Sequence, residues 1–419
     1  MQNRRNAIYG LLIGALVGGF FTGRAFFFNL AYLFGVLLLL SLLWAWASIS
    51  AVNLSRQTRA RRTQVGKTLD EVFSARNIGI LPKLWLEVRD HSDLPGHRPS
   101  AVVPTLFPRQ AYRWSTSTIC QVRGEFTIGP LTLISGDPFG LYQVTRHIGA
   151  TSKVLVYPAA VPIYDFALPV GVLSGGDARR QRAQNVTTNA AGIREYAPGD
   201  SFNRIHWKST ARKEKLLVKE FELDPLADIW LLLDLAGAAS FARPYTLDGS
   251  HSADLFIPPS TVEYGIVIAT SLASYFLEKE RAIGFGCYSP LRQIFQPERG
   301  ARQFTRILET LALARESAMP FLQVVTTEGH HMGRGTTLIL ITADPTDGWV
   351  REAHLLVRRG VRVIAIIIDP ISFGAGHVRG GEETRRLLEG GGVITYLVCQ
   401  EDNLTAVLSQ RKGERRPIW

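Results

Sequence analysis

The sequence predicts a mixed α/β and β chain: an N-terminal two-helix transmembrane hairpin, a small β-sandwich, and then a doubly wound α/β domain. Three observations predict it. Two apolar runs lie almost back to back at the N-terminus, short β-type runs broken by glycine turns follow, and beyond residue 228 continuous apolar runs alternate with helical patterns. The implied division is 1–55 for the hairpin, 62–158 for the sandwich, 159–191 for a linker or loop, 192–227 for a charged junction, 228–410 for the α/β domain and 411–419 for a basic tail.

Ala7 to Gly23 is an uncharged run of about 17 residues and Ala25 to Ser50 a second of about 26, separated by Arg24. At 1.5 Å per residue each reaches across a hydrocarbon core about 30 Å thick, the first only just. A signal peptide is the rival reading of the first run, but the small-residue cleavage pattern is missing and a longer span follows at once. The runs therefore read as a helical hairpin with Thr22, Gly23 and Arg24 at its tip. Arg4 and Arg5 precede it, and Arg56, Arg59, Arg61, Arg62 and Lys67 follow it. The positive-inside rule then places both ends in the cytoplasm, with the chain multi-pass in the inner or plasma membrane.

Over 419 residues the formal net charge is +11, with 46% hydrophobic and 20% charged residues. Such a balance admits nucleic acid as a partner, yet much of the excess sits beside the hairpin and in the tail RKGERRPIW, where membrane lipid accounts for it. Cys120, Cys287 and Cys399 are odd in number and far apart, without metal-ligand spacing, and read as reduced thiols of a cytoplasmic protein.

Between Arg62 and Pro158 the β-type runs are Leu84–Val88, Ala101–Leu106, Thr118–Val122, Phe126–Ile128, Leu131–Ile134 and Val154–Tyr157, a spacing that suits a sandwich. Glycines mark the reversals, and Asp137 in Gly136-Asp137-Pro138 reads as a turn cap in preference to a metal ligand. From Gly171 the chain turns polar and rich in Gly and Arg, as a linker does.

The stretch Gly192 to Glu222, GIREYAPGDSFNRIHWKSTARKEKLLVKEFE, is the densest mixture of charge and aromatic character in the chain. Pro198-Gly199 predicts a turn, Asp200 an N-cap, Ser201–Lys213 a short helix and Leu216–Glu222 a strand. Its charges are balanced enough to pair internally. Two readings stand: a junction that packs one domain on the next, with Tyr196 and Trp207 as apolar pegs, or a docking face for another protein, since Arg, Tyr and Trp concentrate binding energy. The residues that would carry either role are Arg194, Glu195, Tyr196, Asp200, Arg204, His206, Trp207 and Arg212.

This same stretch, GIREYAPGD followed by RIHWKSTAR and LLVKEFE, resembles the signature of the domain of unknown function 58 family. Gly192, Arg194, Glu195, Tyr196, Gly199, Asp200, Arg204, Trp207, Ala211, Arg212 and Glu220 fall on the pattern. The RG and DPFGL texture of the preceding β-rich region agrees with it. The resemblance implies association with a MoxR-type AAA+ ATPase and little established chemistry.

Ile229 to Asp234 is a continuous apolar run ending in a carboxylate, as a buried parallel strand does. Helices are then predicted at Val262–Glu280, Ala301–Arg315, Gly348–Arg359 and Glu382–Leu388, and strands at Ala282–Tyr288, Thr336–Thr342, Val361–Asp369 and Val393–Val398. Asp234, Asp344 and Asp369 fall at one edge of the sheet, where ligands of such folds sit. The order resembles a von Willebrand A-type domain, whose first strand ends in Asp-x-Ser-x-Ser and holds a divalent cation. Here Ala236 and Ala238 replace both serines, and Ser240 is out of register. Asp234, Thr342 and Asp344 remain as a degenerate site, so no cofactor is expected and magnesium is disfavoured, because it demands a full octahedron of oxygens. His330 and His331 fall in a surface loop without a third ligand. No Walker, GxSxG or HExxH motif occurs.

The expected function is therefore a non-enzymatic, membrane-anchored interaction or adaptor protein acting with a MoxR-type ATPase. The alternatives are a metal-dependent enzyme using Asp234, Asp344 and His206, and, less favoured, a nucleic-acid binder.

Overall fold

The computed structural model describes residues 2–168, 186–196, 205–213, 215–223, 228–246 and 255–409. The chain divides into two compact units, Met1–Ala159 with Pro244–Pro258 and Leu308–Leu313, and Ala160–Arg243 with Pro259–Ile307 and Ala314–Trp419.

In the first unit, α1 (Gln2–Thr22) and α2 (Ala25–Ile49) are both long and apolar enough to cross a membrane. Gly23 makes the reversal in the left-handed region, φ 64°. Just before it, a Cβ on Gly18 or Gly19 would lie 3.0–3.2 Å from the ring of Phe27 or Phe28, so glycine lets the two helices meet closely.

The chain enters β structure at Val52, ten residues earlier than the predicted boundary. Strands β1 (Val52–Thr58), β2 (Arg62–Gln64) and β3 (Thr68–Asn77) are followed by β4 (Leu86–Asp90), β5 (Ala101–Val103) and β6 (Ala111–Ile119). Then come β7 (Gly124–Ile128), β8 (Leu131–Gly136), β9 (Gln143–Ile148) and β10 (Ser152–Tyr157). They form three sheets, in the orders β1-β3-β6, β5-β4-β8-β9 and β2-β10-β7. Phe73 and Ala75 of the first sheet pack on Leu86, Val88, Leu131 and Leu133 of the second, together with Ile49 at the end of α2. β1 and β3 are absent from the sequence reading for a specific reason. Their alternation is genuine, but Arg56 and Glu71 occupy inward positions, so the apolar pattern is broken where charge turns into the core. The predicted Thr118–Val122 strand is corrected to β6, which ends at Ile119.

In the second unit, β11 (Val186–Glu195) pairs antiparallel with β12 (Leu217–Leu223), and α3 (Trp207–Lys213) lies between them in the chain. The end of the predicted linker, 186–191, is thus strand. Residues 169–185 and the basic tail lie outside the described residues. So do Ser201–Arg204 of the expected helix, whose described part begins at Trp207.

A six-stranded sheet follows in the order β15-β14-β13-β16-β17-β18. Its members are β13 (Ile229–Leu233), β14 (Ile283–Ser289), β15 (Leu291–Glu298), β16 (Thr337–Thr342), β17 (Arg362–Ile368) and β18 (Ile394–Val398). All neighbours are parallel except the edge pair β14–β15. Helix α4 (Thr261–Glu278) links β13 to β14, whereas α7 (Gly348–Arg358) and α8 (Gly381–Gly390) link β16 to β17 and β17 to β18. Crossovers of one hand that run in opposite directions along the sheet put these helices on opposite faces. The packing agrees. A Cβ on Gly265 of α4 would meet Leu233, Ile341 and Ile368, while Trp349 of α7 clusters with Leu232, Leu340 and Ile367, the alternate positions. Helices α5 (Ala301–Leu313), α6 (Phe321–Gly329) and α9 (Leu404–Leu408) complete the described elements. β15, α6 and α9 were not expected. β15 is a half-exposed edge strand with charged ends, and α6 and α9 are short.

Candidate functional site

The winding reverses between β13 and β16, and at that point their carboxyl ends open the crevice where ligands of doubly wound sheets bind. The parallel register carries Leu233 opposite Ile341, and Asp234 N–H donates to Ile341 O at 2.9 Å. Asp234 and Thr342 therefore emerge side by side, and Thr342 Oγ1–H donates to Asp234 Oδ2 at 2.5 Å. Asp344 N–H donates to Thr342 Oγ1 and Ala236 N–H to Asp234 Oδ1, each at 2.8 Å. Two strand ends 108 residues apart in sequence thus meet in one closed polar knot.

Asp234 is buried, and that burial raises its carboxyl to about 7; the charge of Asp344 adds to the rise, while the hydrogen bonds from Thr342 and Ala236 oppose it. Ala236 and Ala238 contribute no side-chain oxygen, and Ser240 instead donates to Glu316 Oε1 at 2.5 Å. The donor set facing this crevice is thus poor for a hard divalent cation. Asp369, at the end of β17, is spent as a cap, accepting from Ser372 N–H at 3.2 Å and Gly381 N–H at 2.7 Å. His330 and His331 are exposed at the end of α6.

The charged stretch forms a ribbon. Arg194 and Glu195 stand opposite Val218 and Leu217 on β11 and β12, and Tyr196 N–H continues the ladder to Leu216 O at 2.9 Å. His206 is the N-cap of α3: its Nδ1 accepts from Ser209 N–H at 3.1 Å, and its own N–H reaches Leu217 O at 2.8 Å. Among the described residues no hydrogen bond or ion pair links His206 to Asp234 or Asp344. Thr210 Oγ1 accepts from Leu217 N–H at 3.0 Å and ties α3 to β12. Trp207 corrects an expectation: it is 66% exposed and cannot be an apolar peg, because α3 is held to β12 through its polar side and turns its indole outward. Lys208, Arg212 and Lys213 of the same helix are exposed, and Tyr196 is half-buried. Asp200 and Arg204 lie outside the described residues.

One cluster escaped the sequence reading altogether. Inside the sandwich, Arg56 forks onto Glu71, Nε to Oε1 at 2.9 Å and Nη2 to Oε2 at 2.7 Å, and Nη2 also reaches Asp90 at 3.3 Å. His97 Nε2 lies 3.0 Å from Glu71 Oε2 and 3.2 Å from Asp90 Oδ2, and its Nδ1 bonds Thr118 Oγ1 at 2.8 Å. Despite the cost of burial, the hydrogen bonds from His97, Arg56 and Thr58 hold Glu71 down to about 2, and the two carboxylates raise His97. Four residues from four segments meet here, so no local spacing announces them. Asp137 is a turn cap, as expected, accepting from Phe139, Leu141 and Tyr142 N–H groups at 2.6–2.9 Å.

The fold and site together define a class: a mixed α/β chain with two apolar N-terminal helices, a β unit, and a parallel-sheet unit whose carboxyl edge is closed on itself. Residues 192–371, less than half of the chain, match the family model described as Protein of unknown function DUF58. The chain is also 26% identical over 251 residues to the Uncharacterized protein YeaD of Bacillus subtilis (strain 168). That alignment covers 58% of this chain and 56% of the relative, so the chain spans just over half the relative's length. Among solved structures, the conserved hypothetical protein BatB from Bacteroides thetaiotaomicron is 13% identical with a TM-score of 0.30, over 44% of this chain and 95% of that one. The CARDB domain of the PF1109 protein from Pyrococcus furiosus is 14% identical with a TM-score of 0.20, over 25% and 91%. At these scores neither likeness carries an argument.

Proposed function

We propose that this protein is a membrane-anchored, non-enzymatic interaction or adaptor protein. In this reading α1 and α2 cross the membrane as a hairpin, both soluble units lie in the cytoplasm, and the α/β unit is von Willebrand A-like with a degenerate cation edge. The partner that the signature resemblance suggests is a MoxR-type AAA+ ATPase. The observation that carries the reading is the exposure of α3, where Trp207 is 66% exposed and Lys208, Arg212 and Lys213 are exposed as well. An uncovered indole on a helix that also exposes guanidinium and ammonium groups is the composition of a binding hot spot, not of a solvated surface.

The strand order and the two alternating faces of the sheet support the von Willebrand A-like part. The alanines at 236 and 238 and the N-cap role of His206 favour an adaptor over the metal-dependent enzyme. The test is direct binding of a purified MoxR-type ATPase to the full chain in lipid nanodiscs. Trp207→Ala and Arg212→Ala should each weaken binding by about tenfold, equivalent to about 1.4 kcal/mol, with the melting temperature unchanged. Wild-type affinity in both variants would sink the reading. Cysteine labelling near the two ends of the chain tests topology separately, and an end reachable only from outside would remove the cytoplasmic assignment.

A further inference from the structure

The rim from which the hairpin leaves the sandwich is apolar. Ala51 O accepts from Ile78 N–H at 2.9 Å, and the buried Lys83 ammonium donates to Ala47 O, inside the last turn of α2. Two loops therefore flank that turn, residues 78–85 after β3 and residues 104–110 before β6. They are joined to each other by the paired Lys83 and Leu106 backbones, N–H to O at 2.8 and 2.9 Å, and by Arg109 N–H to Asn77 O at 2.9 Å. Their tips are uncovered: Ile80 is 89% exposed, and Ile78 and Phe107 are 62% exposed. Neither loop contains Asp or Glu, and they supply Lys83 and Arg109. The exposed Trp46 projects from α2 beside Ala47. On the α1 side, the β8–β9 turn presents exposed Phe139, and Tyr142 of that turn bonds Tyr9 of α1, OH to OH, at 2.8 Å.

Large apolar side chains gathered at one rim are the exception on a soluble surface, and here Ile78, Ile80 and Phe107 are accompanied by exposed Trp46 and exposed Arg109 in the absence of loop acids. That is the chemistry of the boundary between lipid headgroups and acyl chains, where aromatic rings and basic side chains settle. The rim is continuous with the hairpin, so whatever surrounds the last turn of α2 also meets Ile80 and Phe107. We propose that Ile78, Ile80 and Phe107 form an interfacial ring that dips into the bilayer beside the last turn of α2 at the base of the hairpin and seats the β unit against the membrane. This rests on the membrane-anchored reading above and adds a lipid-contacting surface outside the two helices.

The test uses the full chain in phosphatidylcholine–phosphatidylglycerol vesicles, with a polarity-sensitive fluorophore on single introduced cysteines. Ile80→Cys and Phe107→Cys probe the ring, Leu39→Cys the middle of α2, and Arg59→Cys the far end of β1, with the parent chain as background. Both loop positions are exposed, so the substitutions leave the core intact. Spin-labelled lipid should quench the labels at Leu39, Ile80 and Phe107 at least about twofold more than the label at Arg59. If Leu39 is quenched while Ile80 and Phe107 behave like Arg59, the ring is refuted and the anchored reading stands. If Leu39 is also unquenched, both fall. Loop labels shielded from aqueous iodide yet untouched by spin-labelled lipid would mean that protein, such as a second copy of the chain, covers the rim, and would equally overturn the proposal.

Discussion

Asp234 has a carboxyl near 7 against an ordinary value of 3.8, because burial penalises its charge more than Thr342 and Ala236 N–H favour it. Between those two values the native chain holds a proton that the unfolded chain has released. The stability from this group is therefore complete below about 3.8 and is lost as pH rises through 7, a loss with a ceiling of about 4 kcal/mol. Asp234→Asn should flatten that slope: thermal melts from pH 5 to 8 should decline for the parent and decline less for the variant, and parallel curves would refute the buried-acid account. Glu71 has the opposite sign. Held down to about 2, it stabilises the fold above its ordinary value of 4.5 and loses that contribution as pH falls towards 2. Truncating it in Glu71→Ala strands Arg56 and His97 in the core and should cost about 3–5 kcal/mol. Denaturant unfolding gives the value, and a loss under 1 kcal/mol would mean that water or a neighbour takes over the pairing.

Among the elements, β14 shows how one residue type sets a packing distance. In the parallel register Gly284 lies beside Trp230 and Gly286 beside Leu232, and a Cβ on either would come within 2.6 Å of the neighbouring side chain. Gly286→Ala should therefore destabilise the sheet by about 1–3 kcal/mol through overpacking, as read from the melting temperature. An unchanged midpoint would show that Leu232 and Ile294 move aside freely. Helix α3 behaves in the reverse way. Its outward Trp207 touches little of its own unit, so Trp207→Ala should stay within about 0.5 kcal/mol of the parent in stability. This differs from what a buried peg would do, and the measurement separates the junction role from the docking role at this residue.

At the scale of the whole molecule, the two apolar helices long enough to cross a membrane are the elements that a localisation experiment has to test. Leu39, exposed near the middle of α2, offers a clean probe: Leu39→Asp places a charge at mid-helix and should disfavour insertion by about 3 kcal/mol, shifting the chain out of the carbonate-resistant membrane fraction. Unaltered fractionation would argue that α2 lies against protein, not lipid. The sequence by itself determined the two apolar helices, the parallel strands from Ile229 to Val398 and the helices α4, α5, α7 and α8 between them, but not α6. Each of these is written as an uninterrupted apolar run or a local period, and local periodicity is what a linear chain can display. It also placed Asp234, Thr342 and Asp344 together, because strand ends in a parallel sheet align. The tertiary structure alone decided the rest. Strands β1 and β3 were hidden because Arg56 and Glu71 turn inward, and a charge reads as surface until its partners arrive from Asp90 and His97. Trp207 reads as core by its chemistry, yet it is 66% exposed, while Thr210 and His206 tie α3 to β12 through polar groups. Burial is a property of what the rest of the chain brings to a residue, and no stretch of sequence states that for itself.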